Sequence, residues 1–325
     1  MSLHFKNTPI VTEARKLNSV ISWCNQHGLE WRELAREVGL PVEHMHDSQC
    51  LPGNLLLGFA QKLTAEFGPH IGVDIGRRTF PIDISPALGN MLDRCDTFAE
   101  AVQVFITEMN TFSNNLVYWS EQLAGTWWLC YRSPIPSNTL GFMPMEWLRI
   151  MYLLNLCYPF LGCKWRPTAV KMMSSHPQWP TLPEELRHTT VKFSQPYGAI
   201  AIPLPDHCPP MMLVESQHDW LDTITRLVQT FSPEPWFSLG WFAQVLGVTP
   251  RTLQRHLAKR GTTFKALNET ARKNKAIALL LGSEASITEI AWQVGYNDMS
   301  NFNRAFKKWT GETPSRFKLK LCGGR

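Results

Sequence analysis

None of the eight cysteines stands in a CxxC pair, and the chain has no GxxxxGK[ST], GxGxxG or GxSxG motif. Those absences remove the phosphate-loop, dinucleotide and serine-hydrolase classes, so the chain reads as a non-enzyme with no cofactor and no metal. Long apolar runs are missing too. The most apolar stretch, between Arg149 and Lys164, holds 14 uncharged residues, short of the roughly 20 that cross a bilayer. The opening residues Met-Ser-Leu-His-Phe-Lys offer no apolar core for export, which predicts a cytoplasmic protein with free thiols and no membrane partner. Charged residues are only 18% of the chain, but 44% are hydrophobic, and that proportion excludes disorder.

What charge there is lies unevenly. Residues 236–325 carry 15 Lys+Arg against 5 Asp+Glu, a net of +10, whereas residues 1–235 carry a net of −5. A basic module joined to a mildly acidic one predicts a polyanion-binding end and an end with another task. The 325 residues suit two domains. The expected division is a first domain over 1–208, an amphipathic connecting helix and proline-containing linker over 209–235, and a basic domain over 236–325.

The last 90 residues carry dense helix signals. Ser238 can cap a helix that ends at Gly247, and Thr249-Pro250 opens a second. Leu253 and Leu257 share one face of that second helix, leaving Arg251, Thr252, Gln254, Arg255 and Lys259 on the others. A long helix from Phe264 to Leu281, closed by Gly282, follows with an inner side of Ala266/Leu267, Ala271, Ala278 and Leu279–Leu281. Its expected basic exterior is Lys265, Arg272, Lys273 and Lys275. Then the pattern returns. Ser286-Ile-Thr-Glu289 is a capping box, Gly295 turns the chain, and a helix from Met299 turns Phe302, Phe306 and Trp309 inward. Ala243/Gly247 and Ala291/Gly295 lie 48 residues apart, each followed by an apolar anchor, Leu253 six and Phe302 seven residues after the glycine, which marks two copies of one helix-turn-helix unit.

The segments Arg251-Thr-Leu-Gln-Arg255, Ile287-Thr-Glu-Ile-Ala291 and Phe302-Asn-Arg-Ala-Phe306-Lys-Lys-Trp-Thr-Gly311, with Thr313-Pro-Ser-Arg-Phe317, resemble the AraC/XylS family of transcription regulators. The resemblance covers residues 236–320 and implies that helices 250–259 and 299–309 are two recognition helices entering successive major-groove segments. Side-chain chemistry agrees, since arginine forks onto guanine and Asn or Gln pairs with adenine. The candidate base readers are Arg251, Thr252, Gln254 and Arg255 in the first helix, and Ser300, Asn301, Asn303 and Arg304 in the second. Lys259, Lys265, Lys307 and Lys308 are candidates for phosphate contacts.

The N-terminal region reads as α+β. Helices are expected at 12–27, 30–38, 54–67, 97–112 and 142–161, with an aromatic hairpin at 116–120 and 126–132. Further strands are expected at 168–173, 188–193 and 198–202. The glycine-rich turn Ile71-Gly-Val-Asp-Ile-Gly76, then Leu88-Gly89 and Thr97-Phe-Ala-Glu-Ala101, resembles the arabinose-binding-like, non-cupin N-terminal class of that family. Trp119, Trp127, Trp128 and Tyr131 are candidates to wall an effector pocket, with plain core packing as the alternative. His44-Met-His46-Asp47 reads as a solvated loop rather than a metal site, and Cys157, Cys163 and Cys208 as buried structural thiols rather than a redox switch.

The fold class that follows is an α+β regulatory domain, then an all-α domain with two helix-turn-helix units joined by a linker helix. The expected function is sequence-specific regulation, by activation or repression, with double-stranded promoter DNA as the partner. A small-molecule effector, a second copy of the chain in a homodimer and, for an activator, RNA polymerase are the further expected partners. Two rivals stay open: a DNA-binding module fused to an enzyme such as a repair alkyl-transfer protein, which needs an activated cysteine, and an adaptor for a protein partner.

Overall fold

The computed structural model describes residues 9–43, 45–112, 114, 116–177, 179, 181–211 and 219–322. The chain divides into two compact units, residues 1–40 with 46–218, and residues 219–325 with 41–45.

The first unit is α+β. β1 (Val11–Glu13) pairs antiparallel with β2 (Cys50–Pro52), and between them lie α1 (Asn18–Gln26) and α2 (Trp31–Glu37). Five helices follow: α3 (Gly53–Phe67), α4 (Ile71–Gly76), α5 (Pro81–Ile84), α6 (Pro86–Leu92) and α7 (Phe98–Phe112). The hairpin β3 (Val117–Leu123) and β4 (Thr126–Arg132) leads to α8 (Phe142–Leu161), then β5 (Ala169–Lys171), β6 (Thr190–Lys192) and β7 (Gly198–Ile202). The sheet order is β3-β4-β7-β5-β6, antiparallel except where β5 and β6 run parallel. Ala124 and Gly125, both at positive φ, make the tight hairpin turn.

The segment Ile71–Gly76, read above as a glycine-rich turn, is instead the helix α4. Its glycines serve close packing. A Cβ on Gly72 would lie 2.0 Å from the Pro144 carbonyl oxygen, and one on Gly76 would lie 2.6 Å from that of Leu148. Two glycines four apart thus give α4 a flat side on which the backbone of α8 rests.

The hairpin's alternation divides its aromatic residues. Tyr131 and Trp127 share one face of the sheet with Tyr118, and Trp119 and Trp128 occupy the other with Cys130. The inner face is covered by α7 and α8. The Phe105 ring meets Tyr118 at 5.1 Å, and the Tyr131 hydroxyl donates to Glu146 at 2.9 Å. On the outer face Trp119 packs against Tyr197 at 5.3 Å, and the Lys171 ammonium sits 4.2 Å from the Trp128 ring centroid. The four residues proposed as a pocket wall therefore do not line one pocket, because a period of two sends neighbours to opposite faces.

The seven cysteines from Cys24 to Cys208 are free thiols, and Cys163 is exposed rather than buried as the sequence reading had it. Among the described residues no helix is long and apolar enough to cross a membrane. His44 lies outside the described residues.

The second unit is all helical: α9 (Trp220–Phe231), α10 (Leu239–Val245), α11 (Pro250–Ala258), α12 (Phe264–Gly282), α13 (Ile287–Gln293), α14 (Met299–Thr310) and α15 (Pro314–Cys322). The connecting helix expected within 209–235 begins, among the described residues, at Trp220. It belongs to this unit, where it packs on α12, and the Arg272 Nε donates to the Ser232 carbonyl at 2.9 Å.

Candidate nucleic-acid interface

Each half of the second unit is set by its caps. Ser238 accepts from the Trp241 N–H, Thr249 from Thr252 and Asp298 from Asn301, so α10, α11 and α14 each begin at a side-chain oxygen. The Ser286 hydroxyl accepts from the Glu289 N–H at 3.2 Å, and the Glu289 carboxylate accepts in return from the Ser286 N–H at 2.7 Å. Those backbone and hydroxyl bonds hold the Glu289 carboxyl below its usual range. Gly247 and Gly295 both take positive φ at the turns between the paired helices. At Gly295 the space is closed as well, since a Cβ would come within 2.7 Å of the Pro233 carbonyl.

Burial then sorts the second helix of each pair. In α11 Leu253 and Leu257 are buried, and Arg251, Gln254 and Arg255 are exposed, as is Lys259 at its C-cap. In α14 Phe302 and Phe306 join a core with Ile290, Ala291 and Val294, while Ser300, Asn301, Arg304, Lys307 and Lys308 are exposed. Lys265, at the start of α12, is exposed. One guanidinium is already oriented: Arg304 Nη2 donates to Asn301 Oδ1 at 2.6 Å, a pair three residues apart on one helix face.

Two candidates are less exposed than the rest. Thr252 is half-buried and its hydroxyl lies 3.0 Å from that of Thr249, so it takes part in the cap. Asn303 is half-buried beside Phe302 in the sequence.

The long helix α12 differs from its reading. Its buried residues are Ala271, Ala276 and Leu280, whereas Ala266 and Ala278 are exposed and Leu281 is 60% exposed. Gly282 does not close the helix. It is the last helical residue, and Ser283 ends α12 in an extended conformation with its hydroxyl donating to the Leu279 carbonyl at 2.7 Å. Arg272 is half-buried and covers the Tyr296 ring at 5.1 Å, and burial lowers the Lys275 pKa against the opposing pull of Glu234. Both cations belong to the packing of this unit, not to a uniform basic exterior. The sequence pattern missed this because lysine and arginine stems are long enough to lie along apolar surface.

An alkyl-transfer site would need an activated thiol. Burial instead pushes the Cys24 thiol up to about 11 and drives those of Cys130 and Cys157 higher.

Comparison with known proteins places these features. A model described as a helix-turn-helix domain matches residues 242–320, and one described as the arabinose-binding domain of AraC transcription regulator, N-term, matches residues 28–206. The chain is 31% identical over 140 residues to the ornithine utilization regulator of Pseudomonas aeruginosa, covering 43% of this chain and 41% of that one. Over 86 residues it is 37% identical to the transcriptional regulator VqsM of the same organism, 26% of each chain. The matches thus span about two fifths of the first relative's length and about a quarter of the second's. The solved transcriptional regulator CdpR of Pseudomonas aeruginosa aligns over 98% of this chain and all of its own, at 16% identity and a TM-score of 0.41.

Proposed function

The chain belongs to the AraC family of transcription regulators, and on that premise we propose that it binds promoter DNA sequence-specifically through residues 236–320 and is regulated through its first unit. One observation carries the reading: α11 and α14 bury their apolar stripe and hold arginine, Asn or Gln, and lysine outward. Arg251, Gln254 and Arg255 on α11, and Ser300, Asn301 and Arg304 on α14, are the proposed base readers. Each helix enters one of two successive major-groove segments, about 10 base pairs apart on one face of the duplex.

Selection of bound fragments from a random duplex pool by the full-length protein tests this. The expected product is a bipartite site whose halves repeat at about one helical turn. A single uninterrupted half-site, or no enrichment with either the full chain or residues 209–325 in folded form, overturns it.

Lys259, Lys265, Lys307 and Lys308 are the proposed phosphate contacts. Replacing Lys307 and Lys308 by alanine should weaken binding to all sequences alike. The slope of log affinity against log salt should then fall by about 0.9 per lysine. An unchanged slope, measured by fluorescence anisotropy from low to physiological salt, takes both lysines off the backbone.

The proposed role of the first unit is to sense an effector or to hold two copies of the chain together. A dimer would present four recognition helices to an operator, and an activator would also contact RNA polymerase.

A further inference from the structure

The first unit holds a cavity of about 460 Å³ walled by α5, α6 and the last turns of α8. Apolar side chains supply most of the wall, among them Leu92 and Phe160. Phe80 and Ile82 stand at its side with 50% and 49% of their surface exposed, unusual for residues of that size. Gly89 makes the joint between α5 and α6 possible, because a Cβ there would come within 2.6 Å of Ile82.

The polar atoms are of one kind. No lysine, arginine or histidine lines the cavity among the described residues. The Cys95 thiol spends its proton on the Met91 carbonyl at 3.4 Å. Asn155, buried to 7% exposure, shares its two amide protons among the carbonyls of Gly76, Arg77 and Thr79 at 3.1, 3.2 and 2.8 Å. That leaves its Oδ1 as an acceptor. Pro159, also on the wall, lacks the N–H that would have met the Asn155 carbonyl four residues earlier. Asp93 adds a carboxylate. Burial first, then Glu100 and Asp96, push the Cys95 thiol above its ordinary range.

Apolar walls with a few convergent polar groups are the form small-molecule sites take. We propose that this cavity binds a small organic ammonium with an apolar body. The ring or chain lies against Phe80, Ile82 and Phe160, and the ammonium donates to Asp93 and Asn155. A carboxylate ligand would meet acceptors only. The proposal names a ligand class for the regulatory role given to the first unit and rests on that role for its consequence, not for binding itself.

Calorimetric titration of the full-length protein with three probes of like size tests it: 2-phenylethylammonium, 2-phenylethanol and 3-phenylpropionate. The ammonium should bind about tenfold tighter than the alcohol, the propionate should not bind, and Asp93→Asn should bring the ammonium to the alcohol's level. A propionate that binds as well as the ammonium, an ammonium indifferent to Asp93→Asn, or no binding by any probe overturns the proposal. Ile82→Trp, which adds bulk at the cavity's side and leaves the Asp93 carboxylate in the chain, should weaken ammonium and alcohol together. Unchanged binding of both in that variant overturns the location. No DNA enters the titration, so a failed duplex selection and a failed ammonium site are separate results.

Discussion

Glu146→Ala should destabilise the first unit by about 3–5 kcal/mol, the cost of leaving a buried charge system without one partner. Glu146 is wholly buried on α8, yet three donors converge on it: the Tyr131 hydroxyl at 2.9 Å and the N–H groups of Met173 and Ser174, both at 2.8 Å. The carboxylate thereby fastens α8 to β4 and to the strand-end segment after β5. One helical turn on, the buried Arg149 guanidinium stacks over the Tyr131 ring at 4.8 Å. Burial opposes its charge, but Tyr118, Tyr131, Tyr152 and Glu146 together raise its pKa. Its Nε and Nη1 have no hydrogen-bond partner among the described residues, and the guanidinium hydrogen-bonds the Tyr118 and Tyr152 side chains, with the Glu146 carboxylate as a lesser favourable neighbour. Alanine would orphan two backbone donors and a phenol, open a cavity and remove a favourable charge near Arg149 at once. Glu146→Gln keeps the volume and one acceptor, and should lose only about 1–3 kcal/mol. Urea unfolding followed by circular dichroism and by proteolysis of the first unit reads both variants. An alanine variant within about 0.5 kcal/mol of the native protein would show that the network adds nothing.

That network also marks a limit of what the residues disclose. The helix over 142–161 was legible from its apolar run, and α8 occupies Phe142–Leu161. The sequence pattern does not say that the two charged residues near its start go inward with the apolar ones. The acceptors and donors that permit it come from strands far along the chain, and pairing at such separation leaves no local periodicity to read. The opposite holds for α10 to α15, whose caps, turns and apolar stripes act within a few residues. There Ser286 with Glu289, Thr249 with Pro250, and the glycines at 247 and 295 could be identified before any tertiary structure. Glycine misled at Gly72 and Gly76, where the missing Cβ serves a helix contact and not a turn. The aromatic hairpin is legible as a hairpin, but one wall of four aromatic residues is not what it builds, because the two-residue period assigns Trp119 and Trp128 to the face opposite Trp127 and Tyr131. The ammonium cavity was invisible at the outset, because Asp93, Asn155 and Phe80 meet only through the packing of α5, α6 and α8.

Arg255→Ala and Arg304→Ala should each cost about 1–3 kcal/mol of specific binding and relax base preference in one half of the site, a different half for each. The asymmetry follows from geometry. Arg255 lies on α11 and Arg304 on α14, and the two helices belong to separate capped units with α12 and α13 between them. Truncations so placed share no partner, and their costs should add. Arg304 carries a further consequence, since its Nη2 is held by Asn301 Oδ1 at 2.6 Å. If that bond pre-orients the guanidinium, Asn301→Ala should blur the same half as Arg304→Ala, and the double variant should lose less than the sum. Repeating the duplex selection with each variant, with anisotropy for affinity, separates three results. Loss confined to one half per variant assigns the arginines to base edges. Uniform weakening with unchanged preference assigns them to phosphates and leaves base reading to Arg251, Gln254, Ser300 and Asn301. Relaxation of the same half by both variants would mean that only one of the two helices reads sequence, and the two-helix reading would fall.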